Sequence, residues 1–530
     1  MKKLLTILML ISLNAFAQPW LKFYEPWFSN VPGSINCDYD SGYLLSIIAY
    51  NYPPHDQHQL IQKLTDNGTQ EYQIILGIGL NQNSRFDLFT RNSNNDYILP
   101  GGIWGQNISA EPILLKLDSC KNKVWCTQLA NNPNNEDFFW DAVSLPSGEI
   151  VTLSIQNDPQ NSQAFHIHKF NSNGVQLWRK ELASAQLHPD IWDPEAWKLL
   201  LLPDGGFLVT GYCYWPNPGP TQMKYIRSFL VKADSAGNEQ WLYVHGINDY
   251  IYSYSTVSTL HNNRIYTDGA ANSDNLPYST PHLFKHNLTG NLLFDTRIYI
   301  EDTNNRTAKF NSLISHNSFG NFFIDVNMYS QNSTSNERPA FIKIDTMGIV
   351  KNFYMPDTLL NLSYAGLPEI IPNNKVLYPG VKLGSDQLEN VYLIRCLTDS
   401  LQIDSIPWSN FNYDSLCEEP IINHTISLDS CLIIVSNDDY KPPVGSTSLE
   451  LIPYPVPAEN QLIIKHSNSL QFRDITLMFY NTLGNLVEIL IVNSGTDASK
   501  IDVTCWPAGM YVAVATSGGK MIGNCKLIKE

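Results

Sequence analysis

Two histidines stand two residues apart in FHIHKF, His166 and His168, and a second close pair, His55 and His58, lies in HDQH. On a strand, a spacing of two puts both imidazoles on one face, and two such nitrogens can begin a zinc site. Zinc needs at least a third protein ligand, and none is placed beside either pair. Histidines packed in or on a sheet are therefore the plainer expectation. No HExxH, Gly-x-Ser-x-Gly, P-loop or Asp-x-Asp-x-Asn-Gly calcium loop occurs. Carboxylate pairs that cleave glycosidic bonds leave no linear trace when distant strands assemble them. Cys120 and Cys126 flank a predicted turn, and Cys417 and Cys431 enclose a short segment, so each pair is in position to form a disulfide. Neither has metal-site spacing. No catalytic, cofactor or metal residue is assigned, and no cofactor is expected.

The elements that would position any such chemistry are repeated. Aligned on the basic residue that ends an apolar run, segments such as LIQKLTDNGTQEY, LLKLDSCKNKVW, IHKFNSNGVQLW and LVKADSAGNEQW superimpose. The anchors are Lys63, Lys116, Lys169, Lys232, Lys285, Lys343 and Arg395, at spacings of 53, 53, 63, 53, 58 and 52 residues. Five residues after the anchor stands Gly68, Gly174, Gly237, Gly290 or Gly348; the second repeat has Lys121 there. Nine residues after it stands Tyr72, Trp125, Trp178, Trp241 or Phe294. An alternating apolar run is a strand, Asp or Asn followed by Gly is a hairpin turn, and the aromatic supplies a large contact area at a fixed place. A second hairpin lies upstream of most anchors, clearest in LLLLPDGGFLVTGY.

Four strands per unit of roughly 50 residues is the period of a propeller blade, and one blade cannot bury its faces alone. The expected fold is all-β: a seven-bladed β-propeller, then a small C-terminal immunoglobulin-like β-sandwich. Trp125, Trp178 and Trp241 are expected to be mostly buried at equivalent places. The last repeat loses most of the pattern. The Asp-x-x-Gly-x-x-x-Trp element resembles the tryptophan-docking turn of quinoprotein and related secreted bacterial propellers, a likeness that implies blade-to-blade ties. The quinone enzymes among them need a cofactor pocket, and nothing here marks one. The longest spacing marks an insertion, residues 212–225, expected to be a loop that a short turn could replace. Long loops on a rigid scaffold carry binding, so Trp104, Trp192, Tyr214 and Trp215 are the candidate binding-loop residues.

The two ends read differently. Lys2 and Lys3, an apolar stretch over 4–13 and Ala15-Phe16-Ala17 form a signal peptide, with cleavage between Ala17 and Gln18. No later stretch reaches the roughly 18 apolar residues of a membrane span. The charge is −16, or −18 without Lys2 and Lys3, which argues against nucleic acid and anionic lipid as partners. The expected domains are a signal peptide at 1–17, the propeller at 18–408, a linker at 409–448 and a terminal domain at 449–530.

That terminal domain resembles the type A sorting domain of the type IX secretion system of Bacteroidetes. The family's opening Tyr-Pro-Asn-Pro-Ala matches Tyr454, Pro455, Val456, Pro457 and Ala458. Its Tyr-Asn-x-x-Gly turn matches Tyr480 to Gly484, its Leu-x-x-Gly-x-Tyr matches Trp506 to Tyr511 through Gly509, and its closing Lys-x-x-Lys matches Lys526 and Lys529. Val456 replaces Asn and Trp506 replaces Leu. The resemblance implies delivery through the periplasm to the outer surface or the medium, with the type IX machinery and its sortase as partners. The functional expectation is a secreted or surface-displayed propeller binding glycan or protein through one face; the alternative is a secreted propeller hydrolase or lyase acting on polysaccharide.

Overall fold

A computed structural model describes residues 21–24, 29–38, 40, 42–51, 56–77, 82–86, 88–92, 94–105, 108–130, 138–157, 163–183, 188, 190–216, 224–245, 252–272, 280–298, 300, 306–310, 315–316, 320–330, 333–355, 362–365, 368–371, 374–383, 389–404, 417, 420–428, 431–435, 450–467, 475–481, 486–492, 498–517 and 520–530. The expected signal cleavage site, Ala17 and Gln18, lies outside them, as do Gly484 and most of the expected linker. The chain divides into two compact units, 1–431 and 432–530.

Each apolar run that ends in an anchor is the third strand of an antiparallel sheet, and there are seven such sheets. Blade 1 is Ser29–Cys37, Tyr43–Asn51, Asp56–Leu64 and Gln70–Leu76; blade 3 is Phe138–Ser144, Ile150–Asn157, Gln163–Phe170 and Gln176–Leu182. Blade 4 is Trp192–Leu201, Phe207–Pro216, Lys224–Ala233 and Glu239–Val244, and blade 5 is Tyr252–His261, Arg264–Asn272, Thr280–Asn287 and Leu292–Arg297. In blades 2, 6 and 7 the first strand is broken, into Gln82–Arg85 with Thr90–Arg91, Arg306–Phe310 with Ser315–His316, and Leu362–Ala365 with Glu369–Ile371. First strands of successive blades lie side by side, including those of blades 7 and 1, so the sheets form a closed ring around a central channel.

Closure explains the degenerate last repeat. Blade 7 takes its fourth strand from the other end of the unit: Leu21–Tyr24 pairs antiparallel with Glu389–Leu397, Leu21 opposite Ile394. The segment after Leu397 turns back on the strand, with Cys396 bridged to Ile403 and Asp404 N donating to Arg395 O at 2.8 Å, instead of supplying a fourth strand of its own. Across the seam, Tyr24 Oη donates to Gly68 O at 2.8 Å, and Arg395 binds the Asp66 carboxylate of blade 1 at 2.8 Å and Asp404 at 2.9 Å.

The turn glycine is required twice over. Gly237 has φ +83°, and a Cβ there would lie 2.8 Å from the Trp178 ring of the preceding blade. Trp125 lies over Gly174 and Trp241 over Gly290 in the same way, and their indole nitrogens donate to Ser172 O at 2.9 Å and Leu288 O at 3.3 Å. The three tryptophans are partly buried, each docked on the next turn with an edge left to solvent, because an outer strand has solvent on one side. Tyr72 is buried in the core of blades 1 and 2, and Phe294 is half-buried with Lys285 Nζ 5.2 Å over its ring. Lys121 takes the glycine position with φ +65°. Its ammonium binds Ser119 O at 2.6 Å and sits 3.4 Å from Asp38, inside a buried cluster with Lys63 and Tyr97.

The anchors have a role the repeat alignment did not supply. In blades 1 to 4 each binds an acid from the turn joining the first two strands: Lys63 with Asp38 and Asp40, Lys116 with Asp96 at 2.8 Å, Lys169 with Glu149 at 2.9 Å, Lys232 with Asp204. The two hairpins of a blade are thereby tied at one end.

Two expectations are corrected. The disulfides are Cys120–Cys417 and Cys126–Cys431, not the two local pairs. Cys417, residues 420–428 and Cys431, expected in a linker, form a strap whose strand His424–Ile426 adds parallel to the outer edge of blade 1. Ile426 and Leu428 enter the core between blades 1 and 2, so the cysteines of the strap face blade 2. The second correction is the insertion: Tyr212 to Pro216 and Lys224 to Ser228 continue the ladder, with Trp215 opposite Tyr225. It lengthens a hairpin instead of interrupting it.

In the second unit, Glu450–Tyr454, Gln461–Ser467 and Ala498–Asp502 form one sheet. The other has the order Leu486–Val492, Ile475–Asn481, Gly509–Ser517, Lys520–Lys529. Trp506, where the family pattern has Leu, is buried between Phe479 and Tyr511, with its indole donating to Glu488 at 3.1 Å. Ala458 is fully buried, donating to Ile528 O at 2.7 Å and accepting from Glu530 N at 3.0 Å. The first and last sorting motifs, far apart in sequence, thus meet at Ala458 and Lys529.

Candidate functional site

Antiparallel order places the short turns on one face of the ring and the second-to-third loops on the other. At the latter end, on blades 2 to 4, aromatic rings form a continuous row. Trp104 meets Phe138 at 5.6 Å between centroids, Phe138 meets Trp140 at 5.9 Å, Trp140 meets Trp197 at 4.7 Å, and Trp197 meets Tyr212 at 6.3 Å. The Arg85 guanidinium lies 5.4 Å over the Trp140 ring. All five aromatics are half-buried, so each keeps some ring surface in solvent.

The row is positioned by the strands beneath it. Asp141 follows Trp140 on the first strand of blade 3; Lys198 and Leu199 follow Trp197 on the first strand of blade 4. Asp141 accepts the Leu199 N–H at 2.8 Å and the Lys198 ammonium at 3.0 Å. A buried carboxylate with both a charged and a backbone donor locks two adjacent strands, and with them the contact of Trp140 with Trp197. The Trp197 indole nitrogen is enclosed and has no acceptor among the described residues.

Of the four expected binding-loop residues, Trp104 belongs to this row. Trp192, half exposed at 50 %, stands opposite Tyr214 in register at the rim of blade 4. Trp215 packs against the core of blades 3 and 4, and is a packing residue. Phe138, Trp140, Trp197, Tyr212 and Arg85 were missed. The signal lay in FFWD and EAWK, aromatic-acid and aromatic-base pairs at the same point of two first strands. These residues lie within strands, and all but Tyr212 lie outside the segment that the repeat spacing marks.

The histidine pair resolves as packing. His166 and His168 are buried, 6.2 Å apart between rings, and burial first, then Arg179, holds both well below the ordinary imidazole value. His168 Nε2 lies 2.8 Å from Ser154 Oγ. His58 lies on the strand Asp56–Leu64, while His55 is outside the described residues. No group of three or more metal-type ligands is found among the described residues.

Comparison with known proteins follows this geometry. Residues 453–530 match the family described as the secretion system C-terminal sorting domain. No curated protein sequence matches the chain. Among solved structures the chain is similar to an ulvan lyase of polysaccharide lyase family PL25, at 10 % identity and TM-score 0.45 over 72 % of this chain and 97 % of that one. It is similar to an α-L-arabinanase of Penicillium chrysogenum at 13 % identity and TM-score 0.36, covering 62 % and 96 %. It is also similar to a protein of unknown function from Dyadobacter fermentans at 12 % identity and TM-score 0.38, covering 64 % and 92 %. At these values the likeness carries no argument about chemistry. The propeller rests on its own seven sheets. The chain ends in a type IX sorting domain, which implies engagement with that secretion machinery and export to the cell surface or medium. No helix among the described residues is long and apolar enough to cross a membrane.

Proposed function

We propose that the protein is an exported glycan-binding propeller whose ligand lies along the aromatic row of blades 2 to 4. The observation that carries this reading is the run Trp104, Phe138, Trp140, Trp197, Tyr212, held by the Asp141 bridge and left partly open. Sugar rings present apolar C–H faces and peripheral hydroxyls. Aromatic faces take up the first, and a flanking donor such as Arg85 takes up the second. The signal peptide is removed before Gln18, residues 18–408 with the strap form the ring, and the sorting domain from about 449 engages the type IX translocon and its sortase. The product is released or held at the surface.

The test is a polysaccharide-binding panel with the mature chain, comparing wild type, Trp140→Ala and Trp197→Ala. At least one polysaccharide is expected to bind, and each variant is expected to lose tenfold or more, since losing one ring removes its buried contact area together with about 0.5–1.5 kcal/mol of stacking. Equal binding by folded variants rules out the row as the site. Release of new chain ends from the bound polysaccharide moves the protein to the hydrolase or lyase alternative.

A further inference from the structure

Below the last rings of the row, four blades bring ionisable groups to the channel. Arg91 ends the first strand of blade 2, Cys37 that of blade 1, Lys198 lies on that of blade 4, and Glu369 begins the last segment of the first strand of blade 7. Arg91 Nη1 donates to Cys37 O at 3.0 Å. Arg91 is exposed, and among the described residues no carboxylate comes within ion-pair distance of it. Lys198 is bound to Asp141. Glu369 lies within electrostatic reach of both Lys198 and Arg91 without pairing with either. Enclosure pushes its carboxyl up to about 7 against the pull of both cations, and pushes the Cys37 thiol up to about 12, with Glu369 adding to the effect.

A chain of net charge −16 thus carries Arg85, Arg91 and Lys198 on the first strands of blades 2 and 4, the strands nearest the centre of the ring. The Arg91 guanidinium, bonded to Cys37 O and to the Tyr97 side chain but to no carboxylate among the described residues, keeps donors that fit a carboxylate through parallel hydrogen bonds. A carboxyl that holds its proton near neutrality both donates and accepts, which suits a hydroxyl. We propose that the channel below the aromatic row binds a terminal uronic-acid residue, its carboxylate paired with Arg91 and supported by Lys198, and a neighbouring hydroxyl bonded to Glu369. This deepens the glycan reading and rests on it: the row holds the chain, and the channel reads the acidic end.

The groups facing Glu369 are Lys198, Arg91 and Cys37, with Asp38 and Asp66 beyond the thiol. When Glu369 ionises, a negative charge appears beside the ligand carboxylate, so uronate binding is expected to weaken between pH 6 and 8. The experiment is calorimetric titration of the mature chain with trigalacturonate, its neutral galactose counterpart, and free galacturonate. Trigalacturonate is expected to bind at least tenfold more tightly than the neutral trisaccharide. Arg91→Gln should lose that preference, Arg91→Lys should recover part of it, and Glu369→Gln should bind with a flat pH profile; unchanged melting temperatures show that the variants are folded. Equal affinity for acidic and neutral trisaccharides, or full binding by Arg91→Gln, overturns the channel assignment. If neutral polysaccharide still binds through Trp140 in that case, the aromatic row stands; if nothing binds at any pH, both fall.

Discussion

Trp241 lies across the turn of the next blade, packed against the Leu202, Leu208, Leu230 and Ile265 cluster with an edge left to solvent, and its energetic weight follows from that partial burial. The sequence expectation of a core site implied a loss of about 3–5 kcal/mol on truncation. Partial burial and one hydrogen bond give about 2 kcal/mol or more for Trp241→Ala, to be read from denaturant midpoints. A loss below about 0.5 kcal/mol, the ordinary surface range, contradicts docking. Glu369 offers a second test at this scale. Its carboxyl is raised in the fold from the usual carboxylate range to about 7. Between those values the folded chain holds a proton that the unfolded chain has lost, so stability falls as pH rises through the window and the penalty is complete above it. Glu369→Gln is expected to flatten the melting-temperature profile between pH 4.5 and 7 and to exceed wild type at pH 8, by about 1–2 °C in a ring this large. A wild-type profile with no such slope contradicts the enclosed, unpaired carboxyl. The turn glycines and docking aromatics were legible because each blade repeats them. The anchors were legible as a period but not as ion-pair donors, because their acids sit at different distances upstream, 20 residues for Lys116 and Lys169 but 28 for Lys232.

Blades are mostly readable because hairpins are local, and what escaped reading is what crosses between blades. The strand Leu21–Tyr24 has its partner at Glu389–Leu397, with no turn or repeat to announce it. The aromatic row and the channel group are assembled from first strands far apart in sequence. The disulfides join cysteines 297 and 305 residues apart, so neighbouring cysteines gave the wrong pairing. The strap they hold covers the outer edge of blade 1, an edge that would otherwise present unpaired backbone groups. Replacing Cys120 and Cys126 by Ser is expected to cost about 2–4 kcal/mol per bridge and to open the strap to protease while blades 3 to 5 stay protected. Unaltered proteolysis around 417–431 would show that the strap is held without the bridges. The long hairpin of blade 4 also changes its expected behaviour. Its Trp215 is part of the core, so replacing 212–225 by a short turn is expected to destabilise the ring by about 2 kcal/mol or more, and a neutral result in the same melt returns the segment to a spacer.

The whole molecule is a ring closed by its own first strand and followed by a separate sandwich that carries the sorting motifs. The outline of both units was visible in sequence, the ring through its period and the tail through its ordered motifs; Ala458 and Lys529 show why those motifs must occur together. Both disulfides lie N-terminal to the tail, so removing 449–530 leaves the ring, its seam and its strap intact. The most direct test of this organisation is fractionation of a native host carrying either the full chain or a chain lacking 449–530, with antibody against the ring. The account predicts full-length protein at the outer surface or in the medium, and truncated protein folded, oxidised and confined to the periplasm. Truncated protein reaching the surface or medium would contradict it.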